Sequence, residues 1–352
     1  MPRLSKLFRG ALGAAVALAS AALAHHAAFA DTKPEHTIRF AYYGGTDLQR
    51  DYEHATAFAF KSVVETKSAG KIEVKLYPGG VLGTAEEVVE SMIENRIQMG
   101  LPTEGVLTRW MPKLSSFAIP YLYNDINVAR EMFQGEFGEK YRQMILDEVG
   151  VRILEVGEVG GLLAFTTNKR PIPNPEDIAG LKIRTLAHDG YIAFLKELGA
   201  SPTPMPFAEV YTSMQTGVID GHFNPISAVV SFKIYEVQEH LTLTEHLYGP
   251  MYIAVSEKFF QELDPNEQRI LYEAAKQARS VNYGVTTLTE ASGLSLLADK
   301  GMNIVPLTLE QKAAYRGRTE QALKDVYAEK FGREWVEKIL AAAEAAEKRV
   351  YE

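Results

Sequence analysis

From residue 37 onward the chain switches repeatedly between two spacings of apolar side chains. Residues 37–42 and 72–77 place them at every second position, which predicts half-buried strands, and the stretch between them predicts a helix over about 48–67. Pro78, Gly79 and Gly80 break that unit. Thr84, with Glu87 three residues on, then forms a capping box ahead of Val88, Val89, Met92 and Ile93. Residues 97–102 are apolar and brief, a central strand of a first sheet, which places Glu104 at its carboxyl end and facing a cleft. A helical pattern over 127–150 and a strand over 151–156 lead to a glycine-rich stretch, 157–167, where the chain first crosses between lobes.

The densest pattern lies between Gly180 and Pro225. A strand over 181–185 feeds a helix with Ile192, Phe194, Leu195 and Leu198 on its buried stripe, and Gly199 supplies the left-handed stop. A strand over 201–205 follows. Next comes a helix with Phe207, Val210, Tyr211 and Met214 at i, i+3, i+4 and i+7, closed by Gly217, and then a strand over 218–224. Connections this short between strands and helices predict a parallel sheet, whose ligands sit beyond the carboxyl ends of its strands. Arg184 and Asn224 both fall at such ends. Further on, the pattern predicts a helix over 228–237, strands over 241–244 and 248–255, and a helix over 264–299. The second of those strands is the return crossing, and the helix, at about 1.5 Å per residue, is long enough to lie along both lobes. A strand over 303–307 and helices from 309 to the end close the chain.

Composition changes this picture in three ways. Arg3, Lys6 and Arg9 precede an uncharged run ending in Ala28, Phe29 and Ala30, the form of a cleavable secretory leader over residues 1–30. Beyond it, about 320 residues exceed what one core supports, so two lobes are expected. Cysteine is absent, which excludes disulfides, thiolate metal sites and a cysteine nucleophile. With the leader removed, 34 Lys and Arg face 45 Asp and Glu, a balance that argues against nucleic acid or an anionic membrane as partner.

The six histidines outside the leader show no metal-ligand spacing, and no nucleophile elbow, P-loop or dinucleotide fingerprint occurs. The candidate chemistry is therefore recognition of an anion. A guanidinium fork meets a carboxylate through two parallel hydrogen bonds, which makes Arg184 an anion anchor as readily as a structural ion-pair partner. Asn224, otherwise a turn residue before Pro225, becomes a second donor beside it. Tyr43 and Phe207, at element ends, are core side chains or apolar walls of that site.

The segments LYPGGVLG (76–83), TNKRPI (167–172), GLKIRT (180–185), GASPTPMPFAEVYTSMQTGVIDGHFNP (199–225) and YEVQEHLTLTEH (235–246) together resemble the DctP-type solute receptors of TRAP transporters. The resemblance covers nearly the whole chain after the leader. It implies an α/β fold of two lobes, each a mostly parallel sheet flanked by helices, with a long helix spanning both. Residues 31–161 and 250–289 would form the first lobe, and 162–249 and 290–352 the second. It implies a monomeric periplasmic receptor that closes on a small organic acid and delivers it to the small and large permease components, without cofactor, metal or catalysis. By motif match, Arg184 would hold the ligand carboxylate, with Asn224, Phe207, Glu104 and Tyr43 around it. Two positions depart from the family pattern. Ala164 stands where many relatives carry a second arginine, and Phe223 stands where a glutamate is usual, which favours one carboxylate and an uncharged, cationic or aromatic remainder. An ectoine-like zwitterion and a C4-dicarboxylate are alternative ligands. A sensory ligand-binding module and an exported α/β hydrolase are alternative functions.

Overall fold

The computed structural model describes residues 33–352, so the expected leader lies outside the described residues. The first sheet has the order β2-β1-β3-β10-β4. Its strands are β1 (His36–Ala41), β2 (Ile72–Tyr77), β3 (Met99–Gly100), β4 (Val151–Glu158) and β10 (Pro250–Ser256). The second sheet has the order β11-β9-β5-β8-β6-β7. It comprises β5 (Ala164–Thr167), β6 (Lys182–Thr185), β7 (Ser201–Pro204), β8 (Gly221–Asn224), β9 (His240–Leu243) and β11 (Asn303–Pro306). The proline-bearing β7 and β11 are the two edges, where a missing N–H costs no ladder bond.

β1 runs parallel to β2 and β3, β6 to β7 and β8, and β9 to β11, whereas β10 runs antiparallel to β3 and β4, and β5 antiparallel to β8 and β9. Both sheets are consequently mixed. β4 and β10 are buried along almost their whole length, because helices cover both faces of the first sheet. The crossings lie side by side: Val159 N donates to Gly249 O at 3.0 Å and Leu163 N to Leu247 O at 2.8 Å. Gly160 sits there at φ 140°, and a Cβ on it would lie 1.8 Å from Ser227 Oγ, so both its conformation and its neighbour require glycine.

The expected long helix is Pro265–Asp299, 35 residues and therefore about 52 Å. It starts at an Asp264/Glu267 capping box with Pro265 in its first turn. Its first half buries Ala274, Ala275 and Ala278 in the core that holds Phe60 and Val64 of the helix Tyr52–Lys67. Its second half puts Leu297 into the core of the second lobe. Between the two, Asn282 takes Glu158 N (2.9 Å) and donates to Glu158 O (3.1 Å), fastening the end of β4 to the helix.

Two expected helices are interrupted. The pattern over 127–150 splits at Gly135 into Ile126–Gln134 and Glu136–Val149, and the one over 228–237 becomes Ile226–Ser231 plus a single 3-10 turn, broken by Lys233 at φ 54°. The strand expected over 97–102 pairs only at Met99–Gly100. The final helix, Arg333–Tyr351, packs against Ile126–Gln134, with Arg349 Nε 2.6 Å from Glu131 Oε1.

Candidate functional site

β6 and β8 are parallel neighbours, which brings Arg184 and Asn224 together at their carboxyl ends. Both border two adjoining spaces of about 480 and 680 Å³, measured out to their open mouths, which share Thr103, Val159, Arg184, Leu186 and Asn224 as walls. Arg184 is only 6 % exposed. Its Nε and Nη2 donate to the same carbonyl, Met205 O, at 3.1 and 2.8 Å, and its Cζ lies 5.5 Å from the centre of the Phe207 ring. Among the described residues no carboxylate pairs with it and Nη1 has no acceptor. Burial pushes its pKa down to about 10, against a smaller opposing pull from the charges of Glu86 and Tyr191. A buried cation in this condition lacks an anion.

The Asn224 side-chain nitrogen lies 2.8 Å from His222 Nδ1. Burial, and then the nearby Arg184 charge, push the pKa of His222 down to about 3, so its ring is neutral and its Nδ1 accepts from the amide. That bond fixes the direction of the Asn224 amide.

The first lobe supplies Tyr43 and Glu104 as walls, and the second adds Phe207. Tyr43 borders the larger space, and its hydroxyl donates to Gly83 O at 3.0 Å. Phe207 borders it as well, edge-on to Phe232 at 4.7 Å. Glu104 borders the smaller space but is already occupied: His188 Nε2 lies 3.1 Å from Oε1 and the Tyr191 hydroxyl 3.4 Å from Oε2. Because His188 Nδ1 accepts from Tyr191 N at 3.0 Å as a helix cap, Nε2 is the nitrogen left to donate to Glu104. This contact joins the two lobes behind the cavity. Phe223, the aromatic departure noted above, packs edge-on to Tyr191 at 5.2 Å and closes the smaller space.

All five residues singled out in the sequence thus border one composite cavity, with Glu104 turned towards a protein partner. Ala164 does not border it. Ala164 pairs with Asn224 in the ladder, but its side chain joins Val210, Met214 and Ile226, and the wall of the smaller space is Leu163 instead. Two carboxylates that sequence reasoning did not single out, Glu53 and Glu86, border the larger space. Glu53 Oε2 accepts from Tyr43 N and Gly44 N, both at 2.6 Å. Burial, reinforced by the Asp51 charge, outweighs those bonds and pushes its pKa up to about 8.

Residues 44–330 match the family model DctP, described as bacterial extracellular solute-binding protein, family 7. The 2,3-diketo-L-gulonate-binding periplasmic protein of Escherichia coli is 30 % identical over 277 residues, 79 % of this chain and 83 % of that protein. The sugar acid binding protein of Advenella mimigardefordensis in complex with galactonate superposes with a TM-score of 0.84 at 28 % identity, covering 90 % of this chain and all (100 %) of that one. A TRAP periplasmic solute-binding protein of Sulfurospirillum deleyianum with bound succinate gives 0.82 at 27 %, over 88 % and 100 %.

Proposed function

Because the chain belongs to the DctP family of bacterial extracellular solute-binding proteins, we propose that it is the periplasmic receptor of a TRAP transporter. In this reading it is exported by the leader over residues 1–30. It takes up a small organic acid between its lobes and hands it to the small and large permease components, without turnover. The observation that carries the proposal is the buried guanidinium of Arg184, with no carboxylate partner among the described residues, at the mouth of two adjoining spaces. A ligand carboxylate is the group that completes it, and in a site drained of water two parallel charge-assisted bonds hold it strongly.

Asn224, oriented by His222, would donate to the second carboxylate oxygen. Phe207 and Tyr43 would cover the ligand from opposite sides, and Glu104 would serve as a wall held by His188. The first lobe would comprise residues 31–161 and 250–289 and the second 162–249 and 290–332, closing on the ligand through the paired crossings, with the helix Arg333–Tyr351 resting on the first lobe. The relatives bind sugar acids in two cases and succinate in a third. For this chain a single carboxylate fits better than two, because Glu86 also borders the larger space and its charge would repel a second anion.

A thermal-shift screen over a few hundred organic acids tests the proposal. A ligand at about 100 times its dissociation constant stabilises by roughly 2.7 kcal/mol, a shift that melting resolves. Absence of a shift with every acid would overturn it, as would consumption of a bound acid over hours.

A further inference from the structure

We propose that Glu53 makes this site select hydroxylated acids: the ligand is a monocarboxylate whose far end carries hydroxyl groups, and one of them bonds to Glu53 Oε1. The inference rests on the reading of Arg184 as the carboxylate anchor and adds the determinant at the other end of the same cavity.

Glu53 stands in the first turn of the helix Tyr52–Lys67 and is 6 % exposed. Its two oxygens are in unlike states. Oε2 is saturated by the backbone of the loop after β1, through Tyr43 N and Gly44 N. Oε1 has no partner among the described residues, although the side chain borders the larger space. Oε1 is open to the cavity rather than sealed inside the protein, so a ligand that fills the space takes away its solvation and must supply the bond instead. The neighbouring polar groups are less suited to the task. The Tyr43 hydroxyl is committed to Gly83 O, and Glu86 is only partly buried.

Three chemistries could reach Oε1. A second carboxylate would meet the charge of Glu86, which borders the same space. An ammonium group would have to ionise a carboxyl that burial keeps largely protonated at neutral pH. A hydroxyl needs no change of charge, since it accepts from the protonated carboxyl and donates to the ionised one. A fully reduced chain would leave Oε1 unsolvated, and sites built to bond a ligand hydroxyl reject the analogue lacking it by several powers of ten.

Titration calorimetry on the full chain should compare matched acids: D-gluconate or D-galactonate with hexanoate, and D-erythronate with butyrate. The parent should prefer the best hydroxy acid over its matched fatty acid by at least a hundredfold. Glu53→Leu should lower affinity for that hydroxy acid at least tenfold while leaving the fatty acid unchanged or tighter, so the preference collapses. Glu53→Gln keeps the two loop bonds and a polar group towards the cavity, and should retain the preference to within tenfold. A Glu53 that only braced the loop would lower both affinities together in the leucine variant. If that variant does not fold, the Glu53 carboxyl carbon-13 resonance, assigned by its loss in Glu53→Gln, gives the answer in the parent. It should move with the hydroxy acid and stay fixed with the fatty acid. Equal affinity for both members of each pair, or a resonance that moves equally with both or with neither, overturns the role of Glu53 while leaving the carboxylate reading intact. If neither class binds, the carboxylate reading fails as well.

Discussion

Arg184 is buried and Arg130 half-buried, and they differ in what surrounds the charge. Arg130, on the helix Ile126–Gln134, grips Glu158 with Nε at 3.0 Å and Nη2 at 2.5 Å and rests over the Tyr283 ring at 4.4 Å. Glu158 is completely buried and also accepts from Thr286 at 2.6 Å and from Tyr248 at 3.2 Å. Burial lowers the pKa of Arg130, but the bonds and charge of Glu158 overcome it, so the net direction is up. For Arg184 burial is barely opposed and the direction is down. The first arginine is a finished structural joint at the crossing between lobes. The second has the same fork with its partner withheld, which is how a binding group differs from a framework group when both are inside the protein.

The comparison breaks if the two arginines respond alike to removal. Arg130→Ala strands the buried Glu158 and should cost about 3–5 kcal/mol of stability in urea unfolding, with a ligand preference unchanged in order. Arg184→Ala removes a charge that has no partner in the free protein, so its unfolding midpoint should hold or rise. Its affinity for the ligand found by screening should fall by two to three decades, roughly 3–4 kcal/mol. Should Arg184→Ala unfold more easily than the parent and still bind within threefold, Arg184 is a framework residue. Smaller effects come next. Arg184→Lys keeps the charge but loses the parallel pair of bonds, so calorimetry should find it between the parent and the alanine variant. Asn224→Ala should cost about 1–3 kcal/mol of binding. An Asn224→Ala loss exceeding that of Arg184→Ala would reverse their roles.

How much of this was readable from sequence follows from the range of each interaction. The alternation of β1 and β2, the Thr84/Glu87 capping box, and the left-handed stops at Gly199 (φ 79°) and Gly217 (φ 73°) are local, and sequence reasoning found them. The placement of Arg184 and Asn224 followed from the rule on parallel sheets, since short connections fix which strand ends coincide. Glu53 was missed because a carboxylate in a helical first turn already has a local explanation, favourable charge against the helix dipole. The cavity it borders is completed by residues such as Arg184, far along the chain in the other lobe. Glu104 was placed at the correct strand end, but its partner His188 is 84 residues on, beyond any periodicity. The facing of Ala164 was not legible because the crossing before β5 is irregular, so the parity of alternation is not set until the strand begins.

The smallest expected effect carries the comparison of the two arginines into the pH dependence of folding. His222 and His246 are both buried, and burial pushes each pKa from 6.5 down to about 3. Their folded values lie below the unfolded one, so between those limits the unfolded chain binds more protons. Stability is therefore full above about pH 6.5 and falls as pH drops, by up to ~1.4 kcal/mol per pH unit for each histidine. Glu53 acts in the opposite sense: its folded pKa, about 8, lies above its ordinary value of 4.5, so its contribution is lost as pH rises through that window. Between about pH 4.5 and 6.5 it offsets one histidine, and the steepest loss lies below. Urea unfolding at pH 7.0, 5.5 and 4.5 should show this slope in the parent and a flatter one in His246→Phe, which keeps the stack between Phe165 and Phe194, 4.7 and 4.8 Å away. Arg184→Ala should flatten it by less, because the Arg184 charge is the second cause, after burial, of the low value at His222. A slope identical in parent and Arg184→Ala would mean that this guanidinium is screened from its neighbour, and the site is wetter than its burial indicates.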